Sequence, residues 1–214
     1  MSSQQEFDSN VFVNCPFDEE YYKLLRPLLF TVVFFGYNPR IASESSDSGE
    51  NRIDKILGLI RNSGLSIHDL SRIRASKAGD FSRMNMPFEL GVDYGARIFG
   101  PKRMQNKRCL ILEKERYDTQ KALSDLGGAD FKNHDNDPEI LVRATLNWFV
   151  ETVGSRDRLS PTKIWYQFVD FASDFHDARK SDGFTDDDLN MMPVPEYIDF
   201  IKDWVSTESI VAGQ

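Results

Sequence analysis

The alternation of apolar and polar positions divides the chain into short apolar runs and longer stretches with helical spacing. Val11-Phe12-Val13-Asn14 is the first run, closed by Cys15-Pro16; a proline holds its predecessor in extended geometry, so this reads as a strand ending in a loop. Asp18-Glu19-Glu20 then favour a helix N-terminus, and apolar residues continue to Phe35 before Gly36 stops them. Pro39–Ser43 is a weaker second strand, followed by the polar loop from Glu44 to Gly49. Ile53, Ile56, Leu57 and Ile60 recur at helical spacing, and Leu65–Leu70 reads as a third strand.

After a polar loop, Pro87 stands at a plausible first helical position ahead of Phe88, Leu90 and Ala96, and that helix ends near Gly100-Pro101. Lys107–Glu113 is the clearest strand, apolar with charged ends. A fifth is expected around Ala129-Asp130-Phe131, and Pro138 opens a helix to about Val153. Strands alternating with helices predict a flavodoxin-like α/β fold, a parallel sheet of four or five strands with helices on both faces. Residues 10–153 make up that domain. The composition shifts at Gly154–Arg158, and residues 158–207 are read as a helical extension that packs on the domain or on a partner. The acidic stretch Asp182–Asp188 within it reads as a solvated loop.

Composition narrows the function classes. A net charge of -8 argues against general nucleic-acid binding. The longest apolar run, Leu24–Phe35, is interrupted by Arg26 and Pro27 and is far short of the roughly 20 residues that span a bilayer. The polar, acidic N-terminus has no secretory h-region. Cys15 and Cys109 lie far apart and read as core residues in a reducing compartment, so the expected location is the cytoplasm. No metal motif, catalytic triad, GxGxxG or P-loop can be read.

In an open parallel sheet, ligands bind beyond the carboxyl ends of the strands. The polar candidates there are Asn14, with Pro16 and Phe17 in the following loop, then Ser43 and Glu44, and His68, Asp69, Ser71 and Arg72. Arg83 and Asn85 lead on into Glu89. A Glu near a helix start can simply complement the helix dipole. Glu89 also follows a strand ending in Asp69, and two carboxylates in one cleft repel, which raises the pKa of one and leaves the other ionised. That division suits cleavage of a glycosidic bond. His68 alternates with Asp69 and reads more readily as a packed core histidine. Phosphates would meet Arg40, Arg52, Arg72 or Arg83 and helix N-termini. The polar segment Tyr117–Gly128 is open to two readings, a lid or a structural loop.

The segment Met86-Pro87-Phe88-Glu89-Leu90-Gly91 resembles the Phe-Glu-Leu-Gly segment of nucleoside 2-deoxyribosyltransferases, and the strand ending in Asp69 resembles their acidic loop. The layout is also similar to bacterial Toll/interleukin-1 receptor (TIR)-like domains, which place a catalytic Glu on a helix lining a nucleotide cleft. Where the transferases carry Asp-Ser-Gly-Thr, this chain has Phe81-Ser82-Arg83-Met84-Asn85-Met86, and Arg83 suits a phosphorylated ligand.

The resemblance implies an N-glycosidic bond enzyme acting on NAD or a related nucleotide, by hydrolysis, cyclisation or transfer, in anti-phage defence. Glu89 is then the nucleophile or stabiliser of the ribosyl cation, and Asp69 orients the sugar or assists proton transfer. Asn14 and Ser43 bind the ribose; Arg72 and Arg83 face phosphate. NAD is implied as substrate, with no required cofactor, and a homo-oligomer or a second defence component as partner. The alternatives are a nucleotide-binding sensor and a non-catalytic scaffold.

Overall fold

The structure, a computed structural model, describes residues 2–75, 79, 81–155 and 159–212. Arg156, Asp157 and Arg158, part of the expected linker and the start of the expected extension, lie outside the described residues, as do residues 76–78 and 80 of the polar loop. The chain opens with α1 (Ser3–Ser9), an element absent from the sequence-based expectation. Its start is a reciprocal capping box, in which Ser2 accepts from the Gln5 amide and the Gln5 side chain accepts from that of Ser2.

Strand β1 (Asn10–Asn14) follows, then α2 (Tyr22–Phe34), reached through a short turn of tighter helix at Glu19–Tyr21. Gly36, at φ 76°, turns the chain out of α2 in a conformation that suits a residue without Cβ. Strand β2 (Asn38–Ile41), α3 (Arg52–Arg61) and β3 (Leu65–Asp69) come next. Helix α4 (Asn85–Phe99) begins two residues earlier than expected, so Pro87 is its third residue. That position is still free of cost, because the first four helical N–H groups have no intrahelical partner. After α5 (Lys102–Gln105) come β4 (Arg108–Glu113), α6 (Asp118–Ala122), β5 (Phe131–Asn133) and α7 (Pro138–Trp148). The extension consists of α8 (Pro161–Ser181), α9 (Asp186–Asn190) and α10 (Val194–Ala212).

The five strands are all parallel in the order β2-β1-β3-β4-β5, the flavodoxin-like order, with the change of direction between β1 and β3. Each strand exposes alternate residues to opposite faces. Val11, Val13, Ile67, Leu110 and Leu112 pack into one cluster with α2, α7 and the extension, whereas Phe12 packs on the other face with Ile56, Leu59 and Ile60 of α3.

The extension belongs to the first cluster. Phe30 of α2 is fully buried and makes ring contacts with Phe168 and Phe171 of α8 and Trp204 of α10. At about 1.5–3 kcal/mol for each large apolar side chain removed from water, such anchors hold α8 and α10 on the domain. No helix among the described residues is long and apolar enough to cross a membrane.

Several local expectations need correction. The fifth strand, Phe131–Asn133, overlaps the expected segment at Phe131 and continues two residues beyond it. The acidic stretch in the extension is not all loop: Thr185 and Asp188 form a second capping box at the start of α9. The segment after β4 is pinned as structure, since the buried Glu113 carboxylate accepts from the amides of Tyr117 (2.8 Å) and Thr119 (3.0 Å) at the start of α6.

Candidate functional site

Beyond the carboxyl ends of β1 and β2 lies a cleft of about 390 Å³. It is lined by Asn14 at the end of β1, by Cys15, Pro16 and Phe17 in the loop that follows, and by Tyr22 at the start of α2. Ser43 follows β2, Arg52 opens α3, and Arg83, Asn85, Met86 and Glu89 line the α4 side. Eight residues expected from the sequence thus meet in one cleft: Asn14, Pro16, Phe17, Ser43, Arg52, Arg83, Asn85 and Glu89.

Glu89 is the fifth residue of α4, not a first-turn residue. The helix dipole acts mainly within the first turn, so dipole complementation is a weak account of this carboxylate. Glu89 is only 6% exposed, shares the buried face of α4 with Met86, Leu90 and Asp93, and among the described residues its close charged neighbour is Arg52, whose Nη2 lies 4.0 Å away. No hydrogen bond from a described residue reaches it. Burial raises its pKa above the usual carboxylate range, and Arg52 partly offsets the shift. A buried acid without donors is costly unless a ligand supplies them.

Asp69 is placed differently from its expected partnership with Glu89. It is fully buried and does not line the cleft. Its Oδ2 accepts from the Tyr21 hydroxyl at 2.5 Å and lies 3.1 Å from His134 Nε2; its Oδ1 accepts from the Ser71 amide at 2.8 Å. The His134 Nδ1 accepts from the Asn136 amide, so the His134 proton faces Asp69. Burial alone would raise the Asp69 carboxyl, but His134, Ser71 and Tyr21 together hold it below the ordinary value. The physical reason for the separation is the pleat: Asp69 points with Ile67 toward α2, and His68 points with Phe12 toward α4.

His68 is the packed histidine expected, and it is also wired into the site. It is the register partner of Asn14 across the β1–β3 pair. Asn14 Nδ2 lies 2.9 Å from His68 Nδ1 and 2.9 Å from the Met86 carbonyl oxygen, and His68 Nε2 lies 3.1 Å from Asp93 Oδ2. Asp93 sits one turn beyond Glu89 on α4 and forms an ion pair with the buried Lys107 at 3.0 Å. Burial would raise Asp93, but His68 and Lys107 bring it down to about 2.

His68, Asp93 and Cys109 offer three potential ligand atoms within 4.8 Å of one another. A metal centre is a poor account of them. The Lys107 ammonium already supplies the local cation, held by Asp93 and by the carbonyls of Ile60 and Ser63, and burial pushes the Cys109 thiol up to about 12.

The remaining expected residues stay outside the cleft. Glu44 makes a paired bond to Arg40 (2.9 and 2.7 Å), which occupies both groups. Ser71 uses its amide to hold Asp69. Arg72 is held by Asp18 (3.1 Å) and Glu20 (3.3 Å) in an adjoining depression that shares Arg83 with the cleft. Sequence reasoning left Cys15, Tyr22, Met86 and Val194 unassigned, although all line the cleft. Val194 comes from α10, so the extension completes one wall. Cys15 is buried near both Asp69 and Glu89; burial first and then these carboxylates raise its pKa, which keeps it a thiol.

No family model, curated protein or solved structure matches this chain.

Proposed function

We propose that this protein cleaves an N-glycosidic bond in NAD or a closely related nucleotide, with Glu89 as the nucleophile or the stabiliser of the ribosyl cation. The observation that carries the reading is the Glu89 carboxylate itself, buried at the edge of an open cleft with no hydrogen-bond donor among the described residues and 4.0 Å from an arginine.

The cleft offers matching surfaces for the rest of such a ligand. Arg52 and Arg83, 61% and 56% exposed at their side chains, face phosphate in this reading, Arg83 from its 3.6 Å pair with Asp18. Phe17, Tyr22 and Val194 supply apolar contact for a base, and Asn14 and Ser43 supply polar contact for a sugar.

A single cleft carboxylate selects among glycosidic substrates. A neutral purine leaves from a sugar as an anion unless an acid protonates it. Nicotinamide is already a cation in NAD: as the C1′–N bond breaks, its electron pair goes to the ring nitrogen and a neutral molecule departs. Asp69 is unavailable as an acid, since it lies outside the cleft, accepts from Tyr21 and Ser71, and has the His134 ring 3.1 Å away. A lone carboxylate facing the developing ribosyl cation therefore fits the pyridinium nucleotide better than a deoxynucleoside. Water or a second hydroxyl then takes the ribosyl carbon, giving hydrolysis, cyclisation or transfer.

The apolar side chains of Met84, just before α4, and of Phe88, Ile98 and Phe99 on it stand exposed and support self-association or docking to a second component as part of the same proposal. A cytoplasmic role in anti-phage defence is the setting in which NAD cleavage of this kind would act.

Incubation with NAD and, separately, with 2′-deoxyadenosine tests the substrate class by chromatography. Free nicotinamide from NAD, with no base released from the deoxynucleoside, is the expected result. Bound but unchanged NAD would replace the enzyme by the nucleotide sensor.

A further inference from the structure

The hydrogen bonds behind the cleft determine the orientation of Asn14. The Met86 carbonyl oxygen can only accept, so the Asn14 atom 2.9 Å from it is the amide nitrogen. The same nitrogen lies 2.9 Å from His68 Nδ1, which must then accept its second hydrogen. Nδ1 therefore carries no proton, and the ring's N–H is on Nε2, directed at Asp93 Oδ2 at 3.1 Å. Asp93 is itself fixed by Lys107. Both hydrogens of the Asn14 amide are thus spent on the protein interior. Its carbonyl oxygen, with no protein donor among the described residues, is the polar atom left for the cleft that Asn14 lines.

Two acceptors without donors among the described residues, Asn14 Oδ1 and the Glu89 carboxylate, consequently line one cleft. Acceptors of this kind are satisfied by a ligand rich in hydroxyl donors. We propose that His68 and Asp93 are positioning residues that lock the Asn14 carboxamide with its carbonyl oxygen toward the cleft, where it accepts a hydrogen bond from a ribose hydroxyl of the substrate. The lock makes the site selective for ribosyl over 2′-deoxyribosyl ligands. It rests on the nucleotide reading given above for the ligand, but not for the geometry of the lock.

The two parts are separable by experiment. Nitrogen-15 spectra of the imidazoles in the ligand-free protein at neutral pH are expected to show His68 with an unprotonated Nδ1 and a protonated Nε2; a proton on Nδ1 overturns the lock. Calorimetric titration then compares NAD with its analogue lacking the 2′-hydroxyl of the nicotinamide ribose, under conditions or in a Glu89→Gln background where turnover is suppressed.

The expected preference for NAD is about tenfold or more, because a site built around a hydroxyl leaves its acceptor unpaired when the hydroxyl is missing. Asn14→Leu and His68→Leu should bring the two affinities together, and His68→Gln, which can still accept from Asn14, should restore part of the difference. Equal affinities in the wild-type protein, or a preference untouched by His68→Leu in a folded variant, overturn the positioning role. If NAD does not bind at all while Nδ1 is unprotonated, the ligand named here and the nucleotide reading are overturned.

Discussion

His68 and Asp69, neighbours at the carboxyl end of β3, face opposite sides of the sheet and do different work. His68 reaches Asp93 on α4 and, through Asn14, the cleft. Asp69 reaches Tyr21 beside α2 and His134 beyond β5, tying three segments together beneath the site.

Asp69 is accordingly expected to be a stability residue. Asn in its place cannot accept from both the Tyr21 hydroxyl and the His134 ring without turning its own N–H groups toward a donor. A loss of about 2–3 kcal/mol and a Tm lower by roughly 5–10 °C are expected in thermal melts. At a temperature where Asp69→Asn is folded, kcat for NAD should stay within about threefold of wild type. A fall of several orders of magnitude would return Asp69 to the catalytic machinery.

Acid should weaken the fold through Asp93 and Asp69. Both have folded-state pKa values below the unfolded ones, Asp93 at about 2, so their stabilisation is complete above the unfolded value near 4 and is lost as pH falls through the folded one. Urea unfolding at a series of pH values should show stability declining from about pH 5 toward pH 2. Asp93→Asn should lower stability at neutral pH and flatten that decline by about 2 kcal/mol, the linkage equivalent of the Asp93 shift.

Glu89 has the opposite sign. Its folded-state pKa is raised, so the folded state binds the proton more tightly, and ionising it costs stability as pH rises from the unfolded value through the folded one. Glu89→Gln should therefore melt a few degrees higher than wild type at neutral pH, on the order of 2–4 °C for each kcal/mol relieved. The advantage should shrink on acidification toward about pH 4, where the wild-type carboxyl is also protonated in both states. Equal melting temperatures at neutral pH would show that the carboxylate is better solvated than its burial implies.

Arg52 lowers the Glu89 pKa and is available to phosphate. Arg52→Ala should move the acid limb of the pH–rate profile to higher pH, because the ionised form of Glu89 loses its nearby cation. It should also raise KM for NAD by about tenfold through loss of a charged contact. An acid limb that stays in place would mean that the 4.0 Å approach has no electrostatic consequence.

The succession of strands and helices and the placing of Glu89 near the start of α4 were readable because both rest on local signals, apolar runs with turn residues between them and a proline close to a helix start, although the helix begins two residues before Pro87. The partnership of Asp69 with Glu89 was not readable in the same way. A pleated strand alternates faces, and only packing shows whether the odd or the even residues of Leu65–Asp69 face α4. Lys107 read as a charged strand end, yet it is 2% exposed and pairs with Asp93 over a distance in sequence that no periodicity reveals. Val194 reaches the cleft only because α10 folds back onto α2 and the turn that follows β2. The first helix was missed although its signature, Ser2 followed three residues later by Gln5, is present in the sequence.

The central claim is that the Glu89 carboxylate acts on a ribosyl carbon. Its most direct test is the rate of nicotinamide release from saturating NAD by wild-type protein and by Glu89→Gln, which keeps the size of the side chain and removes its charge. The expected result is measurable release by wild type and a fall in kcat on the order of 100–1000-fold in the variant, with NAD binding retained. Equal release by the two proteins would contradict the account.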